Sequence, residues 1–325
     1  MKAQLLRRVA PVEQSPLELT ELPAPEPQAD EILLRVRACG VCHTDLHTVE
    51  GEISGTLPVV PGHQIVGIHE RTGERWGVPW LHRSCGQCEF CRTDRENLCE
   101  RAQFTGFHVN GGYAEFAVVP AAFAVKLPEK IGDVEVAPLL CAGIIGFRAL
   151  RLSNVRPQQR LGLYGFGASA HIAIQIAGHW GCEVFVATRG GVHQQLANKL
   201  GAAWVGRAED VPDAALDAAV MFAPAGALVP EALRALRKGG TLALAGIYMT
   251  PIPQLPYERL YHERVLRSVA NATRSDAQQL MRLAGEIPLR TEVQTFPLEK
   301  ANEALLALKR SEIRGAGVLV VDSRA

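Results

Sequence analysis

The sequence lacks most features that would set it apart from ordinary globular enzymes. It has no charge imbalance: 34 Lys and Arg oppose 34 Asp and Glu. No global field therefore draws it to nucleic acid or to an anionic membrane surface. Its longest apolar stretch, around Val136 to Phe147, falls well short of the roughly 20 residues that span a bilayer. No hydrophobic run follows the charged start M-K-A-Q-L-L-R-R, so no secretory signal is expected there and the expected location is the cytoplasm. No repeat of long period and no low-complexity tract is visible. Disorder is excluded as the main state, because 47% hydrophobic residues against 21% charged can offset the entropy of ordering. Cysteine is missing from the whole stretch after Cys182, unlike a secreted disulfide scaffold, which spreads its bridges through a much shorter chain. No H-E-x-x-H occurs, which argues against a zinc hydrolase.

What is present is a change of texture near residue 160. At 325 residues the chain is long enough for two domains of about 100–200 residues each. The part before Cys141 predicts an irregular β-rich unit, with strands such as 31–38 and 111–120 separated by Pro and Gly. The Pro-dense segment 21–27 reads as a surface connection. Beyond the β-rich unit, strand-like runs at 161–164, 183–188, 203–205, 217–222, 241–246 and 265–269 alternate with helical segments at 168–179, 191–200 and 226–237. That alternation predicts an α/β unit, a parallel sheet doubly wound with helices. The tail adds helices at 275–284 and near 298–310 and a final strand G-V-L-V-V. Pattern alone leaves open which unit the tail completes.

The eight cysteines carry more information. Cys85, Cys88, Cys91 and Cys99 form a tight C-x2-C-x2-C-x7-C cluster. Four thiolates on a short loop can surround one tetrahedral zinc and leave no open position, so such a site is structural. Thiolates at similar spacings also hold iron–sulfur clusters. Cys42, His63 and Cys141 would make a Cys2His set with an open fourth position, an arrangement suited to catalytic zinc. Standing far apart in the chain, they are a weak signal by spacing alone, since a lone His beside a Gly is ordinarily a surface or satisfied core residue.

A third signal is L-G-L-Y-G-F-G-A-S-A at 161–170, which follows a strand signal and opens a helix. Gly165, Gly167 and Ala170 fit G-x-G-x-x-A. The first permits the tight turn, the second lets the backbone approach a pyrophosphate, and the third allows close helix–strand packing. The helix N-terminus then presents free N–H groups to phosphate.

Taken in order, C-G-V-C-H-T-D-L-H (39–47), P-G-H-Q-I-V-G, G-V-P-W-L-H-R-S-C-G-Q-C-E-F-C and L-C-A-G-I-I-G-F-R-A-L resemble the zinc-dependent medium-chain alcohol dehydrogenases, in particular the cinnamyl-alcohol-dehydrogenase-like branch. The resemblance covers essentially the whole chain. It implies a GroES-like β-rich catalytic domain over 1–144, a Rossmann dinucleotide-binding domain over 145–272, and a segment 273–325 that returns to the first. It implies two zinc ions per chain, one catalytic on Cys42, His63 and Cys141 and one structural on Cys85, Cys88, Cys91 and Cys99. Asp45 takes the place of the carboxylate that orients the metal-bound imidazole. Thr44 and His47 take the places of a relay that carries the substrate proton through the nicotinamide ribose to solvent. Trp80 matches a position that lines the substrate pocket, and Arg314 one that contacts the pyrophosphate. Cys39 and Cys182 match no ligand position and are expected to pack as small hydrophobes. The implied reaction is reversible hydride transfer between a primary or secondary alcohol and its carbonyl product, in a homo-oligomer (dimer or tetramer) acting on small molecules.

Two departures from the family pattern stand out. Gln64 follows the ligand His where Glu is usual, which removes a negative charge beside the metal. The stretch 63–77 is clearly shorter than the usual strand-loop-strand, and a tight hairpin through R-T-G would replace the loop. Cofactor choice is read from the end of the second Rossmann strand, where an NAD enzyme places an acidic residue about 20 positions past the glycines. Here Thr188 stands at that place and is followed by Arg189, with no carboxylate to repel a 2′-phosphate. Thr188 and Arg189 are therefore expected to bind that phosphate, favouring NADP over NAD. Two rivals remain: a zinc-free quinone or enone reductase on the same fold, against which the intact Cys42, His63 and Cys141 set argues, and a non-catalytic protein with structural zinc alone.

Overall fold

The computed structural model describes residues 1–321; the end of the expected 273–325 segment, 322–325, lies outside the described residues. The chain forms two compact units, one built from Met1–Ala142 and the stretch from Ala272 onward, the other from Gly143–Asn271.

The first unit is organised around one long strand, Glu31–Val41, in which Leu34, Val36 and Ala38 are buried and Arg37 between them is exposed. That is the two-residue period of a sheet with one face on a core. The strand pairs antiparallel with Gln64–His69, Phe116–Pro120 and Ala316–Val320. The tail strand Ala316–Val320 also pairs in parallel with Val293–Pro297, so the tail extends this sheet. Gln64–His69 continues into Arg75–Val78 as a tight hairpin closed by His69 N–H to the Glu74 carbonyl at 2.8 Å. The turn runs through Arg71-Thr72-Gly73, and Thr72 Oγ1 lies 2.9 Å from His69 Nδ1. Of the strand expected at 111–120, only Phe116–Pro120 forms. Gly111, Gly112 and Tyr113 instead donate their N–H groups to the carbonyls of Val60, Gly62 and Pro61. Those hydrogen bonds clamp the loop before His63, and a segment bonded to a loop cannot also extend a sheet.

In the second unit six strands lie parallel in the order Trp204–Gly206, Glu183–Ala187, Arg160–Tyr164, Leu216–Met221, Leu236–Leu244, Val265–Ser268. Counted within this unit the order is 3-2-1-4-5-6, that of the doubly wound dinucleotide-binding fold. Helices Ala168–His179 and Gly191–Lys199 link the first three strands. The helix expected over 226–237 is shorter: a 3-10 turn Gly226–Leu228 leads into Val229–Ala235, and a strand begins at Leu236. That strand starts ahead of the expected 241. Its register jumps from Leu216↔Leu236 to Ala218↔Thr241, an irregularity in which the extra residues around Gly239 and Gly240 are accommodated as a bulge. Among the described residues no helix is long and apolar enough to cross a membrane.

Candidate active site

The catalytic-type ligands are assembled by a helix cap. The long strand ends at Val41, and Cys42, in extended conformation, caps helix His43–Glu50. Its Sγ accepts the Thr44 N–H at 3.3 Å while Asp45 Oδ2 accepts the Cys42 N–H at 3.0 Å. This reciprocal cap satisfies two N–H groups that the helix start would leave unpaired. The other oxygen of Asp45 accepts the Gly62 N–H at 3.2 Å and lies 2.9 Å from His63 Nδ1. One carboxylate thus ties the helix to the P-G-H loop. Being an acceptor only, it fixes the His63 proton on Nδ1 and turns Nε2 toward Cys42 Sγ, 3.3 Å away. The Cys141 thiol joins them, and the three ligand atoms all lie within 4.8 Å of one another.

The ionisable groups of this centre act strongly on one another. The Cys42 thiol is held well above its ordinary range by its hydrogen bond with Cys141 and by burial. Burial opposes charge on His63, but the Asp45 carboxylate and Cys42 push the imidazole well up. Tyr113, fully buried, is raised by desolvation and then by the charge of Asp45. Two half-buried thiols and a buried imidazole converging beside a buried carboxylate match a soft, three-ligand divalent site. Along its flank the rings of His63 and Trp80 lie 5.9 Å apart, Trp80 stacks on Phe104 at 4.5 Å, and Phe107 lies 6.2 Å from Trp80. Gln64 is buried, and its side-chain Cδ is 2.7 Å from where a Cβ on Gly40 would stand. Gly40 therefore makes the space that this neutral amide fills.

Thr44 is nearly buried on the first turn of the helix, and His47 is half-buried one turn on, with its Nδ1 hydrogen-bonded to the Glu52 carboxylate. Cys39 is fully buried, and Cys182 is half-buried with its thiol toward the Arg156 carbonyl.

The second cysteine set sits on a lobe whose base is closed by the paired strands Leu81–Arg83 and Gln103–Phe104. Its four sulfurs also lie within 4.8 Å of one another. Cys88 N–H points to Cys85 Sγ at 3.3 Å and Cys85 N–H to Cys99 Sγ at 3.5 Å. Backbone N–H groups of Gln87 and Cys88 draw the Cys85 thiol down to about 5. The four thiols divide: Cys91 is also lowered, whereas Cys88 is pushed up to about 11 by burial and the neighbouring sulfurs against the pull of the Cys91 N–H.

In the second unit, Gly165 takes φ +86°, and a Cβ there would meet the Ala223 nitrogen at 2.8 Å; no other residue fits so close a turn. Gly167 is exposed with open space above it and begins helix Ala168–His179 without a side-chain cap, while Ala170 is fully buried against the sheet. The unpaired N–H groups of that first turn and the room above Gly167 suit a pyrophosphate. Thr188 is buried at the end of Glu183–Ala187, its N–H on the Gly206 carbonyl, and Arg189 is exposed beside it. Arg314 is exposed in the turn before Ala316–Val320.

Sequence reasoning did not single out Tyr113, Phe104, Phe107 or Glu52. The first three are isolated aromatics whose neighbours are set by folding. Glu52 did leave a local signal, an acid directly after the glycine that stops the helix.

Residues 28–129 match the family model of the alcohol dehydrogenase GroES-like domain, and residues 170–286 that of the zinc-binding dehydrogenases. The chain is 45% identical to a "probable alcohol dehydrogenase AdhA" of Mycobacterium tuberculosis, over 99% of this chain and 97% of the relative. Among solved structures it is similar to a cinnamyl alcohol dehydrogenase of Sorghum bicolor, with a TM-score of 0.89 and 25% identity over 98% of this chain and 97% of that one. It is also similar to a cobalt- and zinc-bound thermostable alcohol dehydrogenase of Pyrobaculum aerophilum, with a TM-score of 0.88 and 25% identity over 98% and 99% of the two chains.

Proposed function

The chain belongs to the zinc-binding medium-chain alcohol dehydrogenases, and from that premise we propose that Cys42, His63 and Cys141 hold its catalytic zinc. Its activity is oxidoreductase chemistry between alcohols and their carbonyl products. When bound, zinc supplies a Lewis acid at an open position and the nicotinamide supplies the hydride acceptor or donor. The observation that carries the zinc assignment is the convergence of three ligand atoms with Asp45 on the far nitrogen of His63.

In this reading Asp45 holds His63 in the tautomer that can ligate, and Thr44 and His47 move the proton that an alcohol loses on oxidation. Cys85, Cys88, Cys91 and Cys99 hold a second, structural zinc. The neutral Gln64 leaves more net positive charge at the catalytic metal than a carboxylate would. Gly165, Gly167 and Ala170 receive the pyrophosphate. Thr188 and Arg189, with no carboxylate between them and the ribose, support NADP as the preferred cofactor. The edge strand Val265–Ser268, with Val265 exposed, supports a homo-oligomer, a dimer or tetramer, and the cytoplasm stays the expected location.

The test is zinc content together with turnover of aliphatic and aromatic aldehydes with NADPH and NADH. Two zinc ions per chain and a higher kcat/KM with NADPH are expected, and Arg189→Ala should narrow that preference. One zinc per chain without turnover would favour a structural role alone. A wild-type preference for NADH would overturn the cofactor assignment.

A further inference from the structure

Asp45 already joins Cys42 to His63, whereas Cys141 arrives on a separate stretch of chain. The short hairpin after His63 supplies its seat. His63 stands just before the first arm, Gln64–His69, and Ile65 pairs with Val78 on the second arm, Arg75–Val78. Only residues 70–74 separate the arms. Residues two apart on a strand share a face, and on the second arm these are Arg75 and Gly77. Arg75 engages all three guanidinium nitrogens: Nε donates to Asp133 Oδ1 at 2.6 Å, Nη1 to the Pro128 carbonyl at 3.0 Å and Nη2 to the Ile131 carbonyl at 2.8 Å. A planar fork of donors matches such a set of acceptors, which a single ammonium does not. These acceptors belong to the loop that enters helix Asp133–Val136, and that helix runs on through the 3-10 turn Ala137–Leu140 to Cys141. Gly77 meets the other end of the same stretch. A Cβ on it would stand 2.6 Å from Leu140 Cδ2 and 2.7 Å from Leu127 Cδ2. Glycine is therefore what lets Leu140, buried beside Cys141, pack against this strand.

We propose that Arg75 and Gly77 are positioning residues for the metal site: they fix the stretch 127–141 on the hairpin and so hold the Cys141 thiol where it meets Cys42 and His63. This rests on the reading of those three residues as one ligand set. A thiol on an unclamped stretch has to be ordered as the metal arrives, and that ordering is subtracted from affinity.

The experiment titrates cobalt into full-length protein stripped at the three-ligand site but still holding zinc on its four-cysteine lobe. Affinity is read together with the near-ultraviolet charge-transfer band of thiolate bound to cobalt. The variants are Arg75→Ala, Arg75→Lys, Gly77→Ala, Cys141→Ser and the double variant Arg75→Ala with Cys141→Ser. Arg7→Ala, which removes a surface ion pair with Glu18, controls for a general loss of stability. In Arg75→Ala affinity should fall about tenfold, the lower end of the 10–100-fold that partners of metal ligands contribute, and the band should move toward that of Cys141→Ser. Arg75→Lys should lie between, keeping a charge beside Asp133 but not both carbonyl bonds. Gly77→Ala should shift the band in the same direction. Arg75→Ala should cost nothing further in the Cys141→Ser background, and Arg7→Ala should leave affinity as it is. If Arg75→Ala does not fold, Arg75→Lys and Gly77→Ala carry the same comparison. Unchanged affinity in the Arg75 and Gly77 variants, an equal loss with and without Cys141→Ser, or a matching loss of zinc from the four-cysteine lobe overturns the positioning role. An unchanged band and affinity in Cys141→Ser itself removes the ligand reading, and the positioning role with it.

Discussion

The two thiol centres are built on opposite plans. One gathers Cys42, His63 and Cys141 from a helix cap, a loop and the residue after a 3-10 turn, with Asp45 beside them almost fully buried. The other takes four cysteines from a single short lobe between Cys85 and Cys99. In the first, the hydrogen bond with Cys141 and burial hold the Cys42 thiol well up, while the second is split, with Cys85 drawn down to about 5 and Cys88 pushed up to about 11. The first offers three donors, which would leave a metal unsaturated, and the second offers four, which would close its coordination. Unsaturation suits chemistry and closure suits folding.

Removing one ligand from each centre tests that contrast most severely. Cys42→Ala should lower kcat by roughly 10³-fold or more, the several kcal/mol expected of Lewis-acid stabilisation, while folding survives and zinc content drops from two per chain to one. Near-wild-type turnover would break the catalytic assignment. Cys91→Ala should instead act on stability, lowering the thermal midpoint by about 5 °C or more as a closed site opens. An unchanged midpoint would show that the lobe needs no metal.

A gentler change probes the carboxylate bonded to His63. Asp45→Asn keeps an oxygen for the cap but no longer fixes the His63 tautomer, so affinity for the active-site metal should fall by about 10–100-fold. The four-thiolate site should hold its metal as before, as read by chelator competition. Equal loss from both centres would mean that the variant loosens the whole unit.

A last test concerns acid at the base of the lobe. His82, on strand Leu81–Arg83, is lowered from 6.5 to about 4, chiefly by burial. The unfolded chain therefore binds this proton first as pH falls. The stability it supports is complete above about 6.5 and is lost progressively down to about 4, with a ceiling of roughly 3 kcal/mol. Urea midpoints from pH 7 to 4.5 should fall less steeply in His82→Phe than in the wild type. Parallel slopes would remove His82 from the account.

Local patterns were readable because the physics behind them is local. The spacing of Cys85, Cys88, Cys91 and Cys99 suffices for one tetrahedral site, and the alternation after residue 160 announced a parallel sheet whose helices Ala168–His179 and Gly191–Lys199 fall almost where expected. The misreadings also had local causes. Gly111 to Tyr113 look like the start of a strand until their N–H groups are spent on the loop at 60–62. Leu236 and Arg237 continue a helical pattern but start a strand.

The amino-acid sequence by itself determined the four-cysteine cluster, the glycine turn at Gly165 and the absence of a carboxylate after the second Rossmann strand. Each depends on residues within a few positions of one another or on one strand end. Only the tertiary structure decided that Cys42, His63 and Cys141 meet and that Asp45 binds Cys42, Gly62 and His63 at once. It also decided that the tail strand Ala316–Val320 pairs with Glu31–Val41. The reason is physical: contacts between residues far apart in the chain carry no periodicity along it. They are selected only when the folded sheets bury their apolar faces and every buried polar group finds its partner.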